Sequence, residues 1–370
     1  MHFDISSATS VAMRGLEESA RASVREELDP FEPSQATSPA DLTIVQDEAG
    51  PEPCDELQGD AGDGWTCCWQ RDRLALCVPR GMLALPPRLA VAPAELRRQG
   101  AFPIWRAFAD VVRPSLATAG VARGAATAHA SAVALDGAGV LIAGWSESGK
   151  TEAALALMEQ GAGFISDKWT VVGGDGSLAT FPARVSVRDW VLPYLPRLRR
   201  SLSGRARAQL VLARPLGAAV QRAARAARGR LTGAVTHAGA RAAALAQRII
   251  MRPTEIAAAY GQRPGPTSQP CRAAFILCTA PGGTPTVRSA DPAWMAARLA
   301  QSAAFERRAL TALGQRAAVF DPGALEAIEL AGRREYELLV AALGKVPTKR
   351  IDVPFPCDPR RVASLVTAEL

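Results

Sequence analysis

Short apolar runs bounded by glycine and turn-forming residues mark the centre of the chain, and segments of helical periodicity lie between them. Residues 140–143 form such a run and are rich in branched side chains, which is typical of a buried β-strand. Residues 151–160 contain strong helix formers, and their apolar positions recur at the spacing of one helix face. Gly161 then stands where the end of a helix favours a left-handed residue. The pattern predicts a strand, a loop and a helix in that order.

A further strand is predicted immediately upstream, at residues 131–135, and a tight turn joins it to the run just described. The two strands then form an antiparallel hairpin. If Leu135 pairs with a residue within 138–140, His129 falls opposite a residue within 144–146. The hairpin therefore places His129 beside the loop that follows the second strand.

The rest of the chain continues the alternation of strands and helices. A strand over residues 162–166 ends at Asp167, and later strands are predicted at residues 273–278, 286–288 and 351–354, the last as an edge strand. Helices are predicted to begin after Asp291 and Asp358. This order favours an α/β fold, with a mixed sheet and flanking helices.

The loop at residues 144–151 has the sequence Gly-Trp-Ser-Glu-Ser-Gly-Lys-Thr and matches the phosphate-binding pattern G-x-x-x-x-G-K-[ST] without a gap. Glycine lets the backbone wrap a phosphate closely, so that successive N–H groups point at the anion. The positive end of the following helix strengthens that field. The candidate nucleotide-binding residues are Gly144, Trp145, Ser146, Glu147, Ser148, Gly149, Lys150 and Thr151.

Two residues at the end of this loop carry most of its predicted chemistry. Lys150 is expected to reach the β- and γ-phosphates of a nucleotide, and the Thr151 hydroxyl to coordinate Mg²⁺. The alternative is a glycine turn that binds nothing. A lysine at a buried helix start is costly without an anion, which favours phosphate binding.

Two side chains outside the loop are candidate catalytic residues. Asp167 follows a strand beside the loop, where a carboxylate usually holds Mg²⁺. It could instead orient or deprotonate an attacking hydroxyl, or be a turn aspartate. His129 lies beside the phosphate site by hairpin geometry, and its alternative role is to cap the strand. Lys168 is either a phosphate contact or a solvated charge.

Together these residues resemble the HPr kinase/phosphorylase family and the wider group of HPr-kinase-like serine kinases. The resemblance is carried by His129-Ala130, the hairpin, residues 144–152 and residues 161–167. It implies a P-loop fold related to phosphoenolpyruvate carboxykinase, the cofactors ATP and Mg²⁺, and phosphoryl transfer to a serine hydroxyl. His129 and Asp167 fall on positions that the family uses at the catalytic centre.

The chain departs from the family at two places. Lys168 stands where the family usually has a second aspartate, and the glycine-rich signature stretch beyond the core is not recognisable. The acceptor therefore stays open among proteins, peptides and small-molecule alcohols, and the donor among ATP, GTP and pyrophosphate. The alternative function is a nucleotide-binding sensor with weakened catalysis. A motor ATPase is disfavoured, because no glutamate follows Asp167.

Composition shifts predict three regions. Residues 1–63 form a largely flexible segment with a helix over residues 10–28 and an acidic linker. Residues 64–127 form a small β-rich lead-in, with short strands at 65–69 and 74–78, followed by a helix. Residues 128–370 form the kinase-like core.

The core contains an Arg/Ala-rich helical insertion at about residues 197–252, which includes Arg248 and has no acidic residue. Its arginines are either solvated or form a docking surface for an acidic peptide, nucleotide phosphates or a membrane.

The formal net charge of +7 favours anionic partners in general. Nucleic acid is not expected, because hardly any aromatic residues interleave with the arginines. The seven cysteines contain no paired C-x-x-C units, and no signal peptide or membrane-spanning run is recognisable. We therefore expect a cytoplasmic protein, and a homo-oligomer stays open.

Overall fold

The computed structural model describes residues 1–36, 38–46, 65–71, 74–79, 94–98, 108–212, 247–317, 323–354 and 356–370. Over these residues the protein is an α/β structure with a mixed multi-stranded sheet and flanking helices. The predicted fold class is confirmed at this level. Within the described ranges, no helix combines the length and the apolar character that crossing a membrane requires.

A six-stranded sheet is built from the N-terminal part of the chain. Its strands are β1 (His2–Ile5), β2 (Thr9–Arg14), β3 (Leu42–Gln46), β4 (Trp65–Arg71), β5 (Leu74–Pro79) and β6 (Ala94–Arg98). They lie in the order β1-β2-β3-β6-β5-β4, and β2, β3 and β6 pair in parallel. The short strands predicted in the lead-in region are confirmed as β4 and β5.

The prediction of a largely flexible segment over residues 1–63 is wrong for its described part. The strand β2 occupies the start of the helix predicted over residues 10–28, and helix α1 spans only Glu18–Leu28. Three fully buried side chains of β1 and β2, those of Phe3, Ile5 and Val11, share a core with Phe108 and Val111, which come later in the chain. The strands are short, so their two-residue period does not stand out in the sequence. Residues 47–62 of the expected acidic linker lie outside the described residues, and its described part contains β3.

A nine-stranded sheet and a two-stranded sheet contain the remaining strands. These are β7 (Ala125–Ala128), β8 (Ala130–Leu135), β9 (Ala138–Gly144), β10 (Gly163–Ser166), β11 (Thr170–Gly173), β12 (Ser177–Thr180), β13 (Val185–Arg188), β14 (Arg248–Met251), β15 (Ser268–Thr279), β16 (Thr286–Ser289) and β17 (Thr348–Val353). The long strand β15 joins two parts of the larger sheet, because it pairs first with β12 and then in parallel with β9 and β17.

The other helices surround these sheets. They are α2 (Arg113–Ala122), α3 (Lys150–Glu159), α4 (Pro196–Ser201), α5 (Pro253–Ala259), α6 (Pro292–Glu306), α7 (Arg308–Ala317), α8 (Gly323–Leu343) and α9 (Pro359–Ala368). A π-helical turn spans Phe108–Val112, a 3₁₀ helix spans Asp189–Tyr194, and residues 204–212 are also helical. The side chains of Asp291 and Asp358 cap α6 and α9 at the predicted starts. Gly161, with φ 109°, follows α3 in the predicted left-handed conformation.

The central strand β9 has a different helix layer on each of its faces. Val140 and Ile142 belong to a buried cluster that contains residues of α3 and α9. Leu141 and Ala143 belong to a second cluster that contains residues of α6 and α8. Successive residues of a strand point to opposite faces, so a strand covered on both faces needs a continuous apolar run. This explains why residues 140–143 are uniformly apolar.

Two predictions about later segments are wrong. The final strand is not an edge strand, because β17 pairs with β15 on one side and with β16 on the other. Arg248 is not helical but begins β14, where two isoleucines favour a strand, and it lies directly opposite Arg188 of β13. Residues 213–246 of the insertion lie outside the described residues.

A buried ion pair joins the C-terminal end of α6 to the middle of α8. Arg307, at the end of α6, contacts Glu335 of α8 at 2.6 Å, and their side chains are 3% and 0% exposed. The backbone N–H of Thr127 in β7 also donates to Glu335, at 3.4 Å. Burial raises the pKa of Glu335, and the charge of Arg307 opposes that shift. The pair therefore fixes α6 and α8 against the sheet at a cost in desolvation.

We expect Glu335→Ala to lower the free energy of unfolding by about 3–5 kcal/mol, because it leaves a buried guanidinium unpaired. Arg334→Ala is the matched control: it removes an exposed pair with Glu337 and should cost at most about 1 kcal/mol. Urea unfolding measures both. Equal losses in the two variants would contradict the role of the buried pair.

Candidate functional site

The 144–151 loop connects β9 to α3 and contains three residues in the left-handed region of backbone space. Gly144 has φ 155°, Glu147 has φ 64° and Gly149 has φ 93°. A Cβ added to Gly144 would overlap the Ser148 hydroxyl and lie 3.0 Å from the Leu277 carbonyl oxygen. Glycine is therefore required at position 144 both by its conformation and by the close approach of the loop to β15.

Lys150 is the first residue of α3 and is only 6% exposed. Its ammonium donates to the Trp145 carbonyl at 3.4 Å, which is a long contact for a charged donor. Within the described residues, no carboxylate oxygen lies within 4.0 Å of this ammonium, which is the limit for an ion pair. Burial lowers its pKa, while the charges of Asp167 and Glu152 raise it. The positive charge of this buried ammonium is therefore only partly balanced by the nearby carboxylates.

The carboxylate of Asp167 lies where β10 ends and is only 4% exposed. Its Oδ1 atom accepts a hydrogen bond from Thr151 Oγ1 at 2.9 Å. The same oxygen accepts a hydrogen bond from Ser131 Oγ of β8. The carboxylate thus links the start of α3 to two strands of the sheet. It also brings together Thr151 and Asp167, the two residues predicted to hold a metal.

The strand register places His129 as expected. Leu135 pairs with Ala138 and Ala130 pairs with Ala143, so the same register puts His129 opposite Gly144. The side chain is 7% exposed, and its Nδ1 lies 3.0 Å from Ser302 Oγ of α6.

His129 is neutral at physiological pH. Burial lowers its pKa to about 3, and the charges of Lys150 and Lys168 act in the same direction. The Glu306 carboxylate, 3.7 Å from Nδ1, opposes this shift but is outweighed, since it is partly exposed. A carboxylate beside Nδ1 favours the tautomer with its proton on that atom. Nε2 is then left as a hydrogen-bond acceptor.

A polar cavity of about 170 Å³ brings most of these groups together. Its predicted members are His129, Ser146, Glu147, Gly149, Lys150, Thr151 and Asp167, and its other lining residues are Glu152, Lys168, Arg184, Ser186, Arg188 and Arg248. We call it the polar cavity. The remaining predicted loop residues, Gly144, Trp145 and Ser148, line a neighbouring cavity of about 540 Å³ instead.

The two-stranded antiparallel sheet of β13 and β14 contributes a basic wall to the polar cavity. Arg188 and Arg248 are direct cross-strand partners, and like charges in that position destabilise a strand pair. Arg188 contacts Glu147 of the loop at 2.6 Å. Neither Arg248 nor Lys168 makes an ion pair within the described part of the chain. This wall suits an anionic ligand.

Several residues of the site were not predicted. Ser131 lies two positions after His129, which directly precedes β8, so the two-residue alternation of an extended chain places both on one side and could have indicated it. Ser302 and Glu306 come from a helix more than 150 residues away in sequence, and nothing local signals their proximity to His129. Arg188 belongs to a strand whose alternating pattern was not recognised.

Within the described residues, no group of three or more His, Cys, Asp or Glu side chains could hold a metal ion. This does not conflict with the expected Mg²⁺. Magnesium usually binds through one or two protein oxygens, with water and substrate phosphates completing its octahedron. Thr151 Oγ1 and Asp167 Oδ1, which lie 2.9 Å apart, are hard oxygen donors of this kind.

Comparisons with known proteins give no further support. No protein-family model matches the chain, and a search of curated proteins finds no significant match. The resemblance to HPr kinases therefore rests on the motif residues alone.

The depressed pKa of His129 predicts how stability depends on pH. The unfolded chain protonates this residue near pH 6.5, whereas the folded protein does so only near pH 3. Protonation therefore favours unfolding, and His129 should contribute a loss of up to about 1.4 kcal/mol per pH unit as the pH falls through that window. We expect His129→Gln to show a shallower acid-side slope than the wild type in urea unfolding measured at several pH values. If the free energy of unfolding fell with the same slope in both proteins as the pH is lowered, this contribution of His129 would be ruled out.

Proposed function

We propose that this protein is a P-loop kinase of the HPr-kinase-like type, which uses ATP and Mg²⁺ to phosphorylate a hydroxyl group. The observation that carries the proposal is the buried ammonium of Lys150, which has one long hydrogen bond to a backbone carbonyl. A buried cation without a close anion is costly, and a bound phosphate would supply that anion. The glycine backbone around it supplies N–H groups for the same ligand.

The charges of the polar cavity support a nucleotide as this anion. Lys150, Lys168 and Arg248 have no ion-pair partner within the described residues. The carboxyl groups of the lining that make no ion pair there are Asp167 and Glu152, and burial raises the pKa of Glu152. Arg188 is paired with Glu147. A nucleoside triphosphate bound to one divalent cation carries a net negative charge that would offset these cations. Electrostatic stabilisation by preplaced charges is usually a major source of rate in phosphoryl transfer.

Thr151 and Asp167 are the residues that would hold Mg²⁺. A bound magnesium ion would neutralise charge on the β- and γ-phosphates. The hydrogen bonds from Ser131 and Thr151 already fix one oxygen of the Asp167 carboxylate. The other oxygen, Oδ2, is left to a ligand or to the acceptor.

Asp167 and His129 are the candidates for orienting the acceptor. Neutral His129 can accept a hydrogen bond through Nε2, but a pKa of about 3 makes it a weak base. Bound phosphates would offset the charges of Lys150 and Lys168, which are two of the causes of that low pKa. His129 would then become a better proton acceptor only when a donor is bound. Orientation of the hydroxyl is the role that we propose for it in the free protein.

The alternative function is a nucleotide-binding sensor that transfers phosphate inefficiently. The observation that favours it is Lys168, which lines the cavity in the left-handed conformation, with φ 65°. In related kinases an aspartate usually occupies this place, so the second carboxylate of the metal site is replaced by a cation. Measured phosphoryl transfer separates the two functions, since both predict nucleotide binding.

We expect Lys150→Ala to weaken MgATP binding by at least about tenfold, because it removes the cation that faces the β- and γ-phosphates. Isothermal titration calorimetry of the full chain measures this. Lys345→Ala is the matched control: its ammonium is exposed and donates to the Gly174 carbonyl, away from the polar cavity. MgATP affinity that is equal in all three proteins would overturn the proposal.

Asp167→Asn should retain nucleotide binding but lower the rate of phosphoryl transfer by about a hundredfold or more, because the amide removes a charge that holds the metal and orients the acceptor. Transfer from γ-labelled ATP to lysate fractions gives the rate, and calorimetry gives the affinity. A variant with full transfer activity would show that Asp167 has neither role.

A further inference from the structure

The cavity of about 540 Å³ beside the loop differs in chemistry from the polar cavity. We call it the apolar cavity. Its walls include Gly144 and Trp145 of the loop, Leu277 and Thr279 at the end of β15, and Ala297 and Ser302 of α6. Its size lies within the range of pockets that hold small ligands. Arg298 is the charged residue in its lining.

Exposed aromatic side chains lie at the apolar cavity, since Trp145 lines it and Phe305 packs against Trp145. Trp145 and Phe305 are 53% and 47% exposed, and their ring centroids lie 5.1 Å apart. Arg298 is stacked on Trp294, with its guanidinium carbon 3.6 Å from the ring centroid. The cavity therefore offers flat apolar surfaces to a ligand rather than a free charge.

One buried polar atom in the wall also indicates a ligand. Ser148 is 2% exposed, and its hydroxyl oxygen has no hydrogen-bond partner among the residues that the structure describes. Ser148 lines the apolar cavity together with Gly144, which it approaches closely. A buried hydroxyl without a partner costs free energy, and a polar atom of a bound ligand would satisfy it.

The position of the Lys150 ammonium indicates which end of a bound phosphate chain faces this cavity. It lies against the carbonyl of Trp145, near the start of the loop. A P-loop lysine contacts the β- and γ-phosphates, so the transferable end of the donor lies near Trp145. The basic wall formed by Arg188 and Arg248 lines the polar cavity and not the apolar cavity.

His129 links the two cavities at this same end. It lines the polar cavity, and its Nδ1 lies 3.0 Å from Ser302 Oγ, a residue of the apolar cavity. In-line transfer requires the acceptor oxygen to approach the γ-phosphorus from the side opposite the leaving group. An acceptor held beside His129 therefore extends towards the apolar cavity.

We propose that the apolar cavity binds the phosphoryl acceptor, and that this acceptor is a hydroxyl compound with an uncharged apolar or aromatic group next to the hydroxyl. This inference rests on the proposed kinase function. The hydroxyl oxygen bonds to the γ-phosphorus while the bond from that phosphorus to the bridging oxygen of ADP breaks, and the hydroxyl proton passes to Asp167 or His129. A serine with an apolar neighbour in a peptide and a small aromatic alcohol share this chemistry.

The test uses the full chain, γ-labelled ATP and two sets of probes. One set is a library of short serine peptides with the flanking positions varied among apolar, aromatic, acidic and basic residues. The other is 2-phenylethanol, with ethanol as its comparison. We expect the wild type to prefer apolar or aromatic flanks over charged ones by at least about tenfold in kcat/KM, which is the scale of discrimination for an apolar pocket. The probe set that becomes labelled shows whether the hydroxyl belongs to a peptide serine or to a small alcohol.

Ala297→Trp should fill the cavity from α6 and lower transfer to the preferred probe by at least about tenfold, with MgATP affinity within about twofold of the wild type. Ala341→Trp, at an exposed alanine of α8, is the matched control and should leave both unchanged. If Ala297→Trp does not fold, Ala297→Asp serves instead and should shift the preference towards basic flanks.

The outcomes separate this inference from the proposed function. Unchanged transfer and preference in Ala297→Trp would overturn the acceptor pocket. A matching loss of MgATP affinity would assign the cavity to the nucleoside of the donor and would also overturn it. A wild type that binds MgATP but labels no probe would refute the acceptor assignment and leave nucleotide binding intact. A wild type that binds no MgATP would refute both.

Discussion

The arrangement of the candidate site depends on the hydrogen bonds that the Asp167 carboxylate accepts. Ser131 of β8 and Thr151 of α3 both donate to its Oδ1 atom, and Asp167 itself follows β10. Three separate elements therefore converge on one buried oxygen. An unsatisfied buried carboxylate would be costly, so these donors fix the position of the carboxylate relative to the 144–151 loop. The same oxygen sets where a metal could be held and where a hydroxyl could be oriented.

The sheet explains how this point of convergence is supported. The strand β9 is covered on both faces, and it pairs with β8 on one side and β15 on the other. The parallel neighbour β15 approaches Gly144 so closely that a side chain there would meet a carbonyl oxygen. The antiparallel neighbour β8 carries Ser131 and directly follows His129. The loop is thus fixed from two directions, and a polar and an apolar cavity form on either side of its first half. A polar cavity next to an apolar one suits two ligands, one anionic and one neutral.

The parts of the site that are close in sequence could be predicted, and the distant parts could not. The loop, the helix after it and the hairpin before it lie within about thirty residues, so local periodicity and turn chemistry were sufficient to predict them. Asp167 could be predicted because it ends the next strand. Ser302 and Glu306 were not found, because their approach to His129 depends on how α6 packs across the sheet. The N-terminal strands were missed for a related reason: their short alternating patterns gain meaning only when Phe3 and Ile5 meet the core around Phe108.

The sequence by itself determined the conformation of the 144–151 loop and the identity of the groups that it presents, because glycine, lysine and threonine at those spacings act through local backbone geometry and helix-end electrostatics. It limited the register of the hairpin to a few alternatives, since turn length restricts which residues pair, and the structure selects the pairing of Leu135 with Ala138. Only the tertiary structure decided that Arg188 and Arg248 line the same cavity and that Ser302 and Glu306 approach His129. It also decided that an apolar cavity opens at the start of the loop. Burial and long-range approach arise from packing between distant segments, and the free energies involved do not depend on sequence separation.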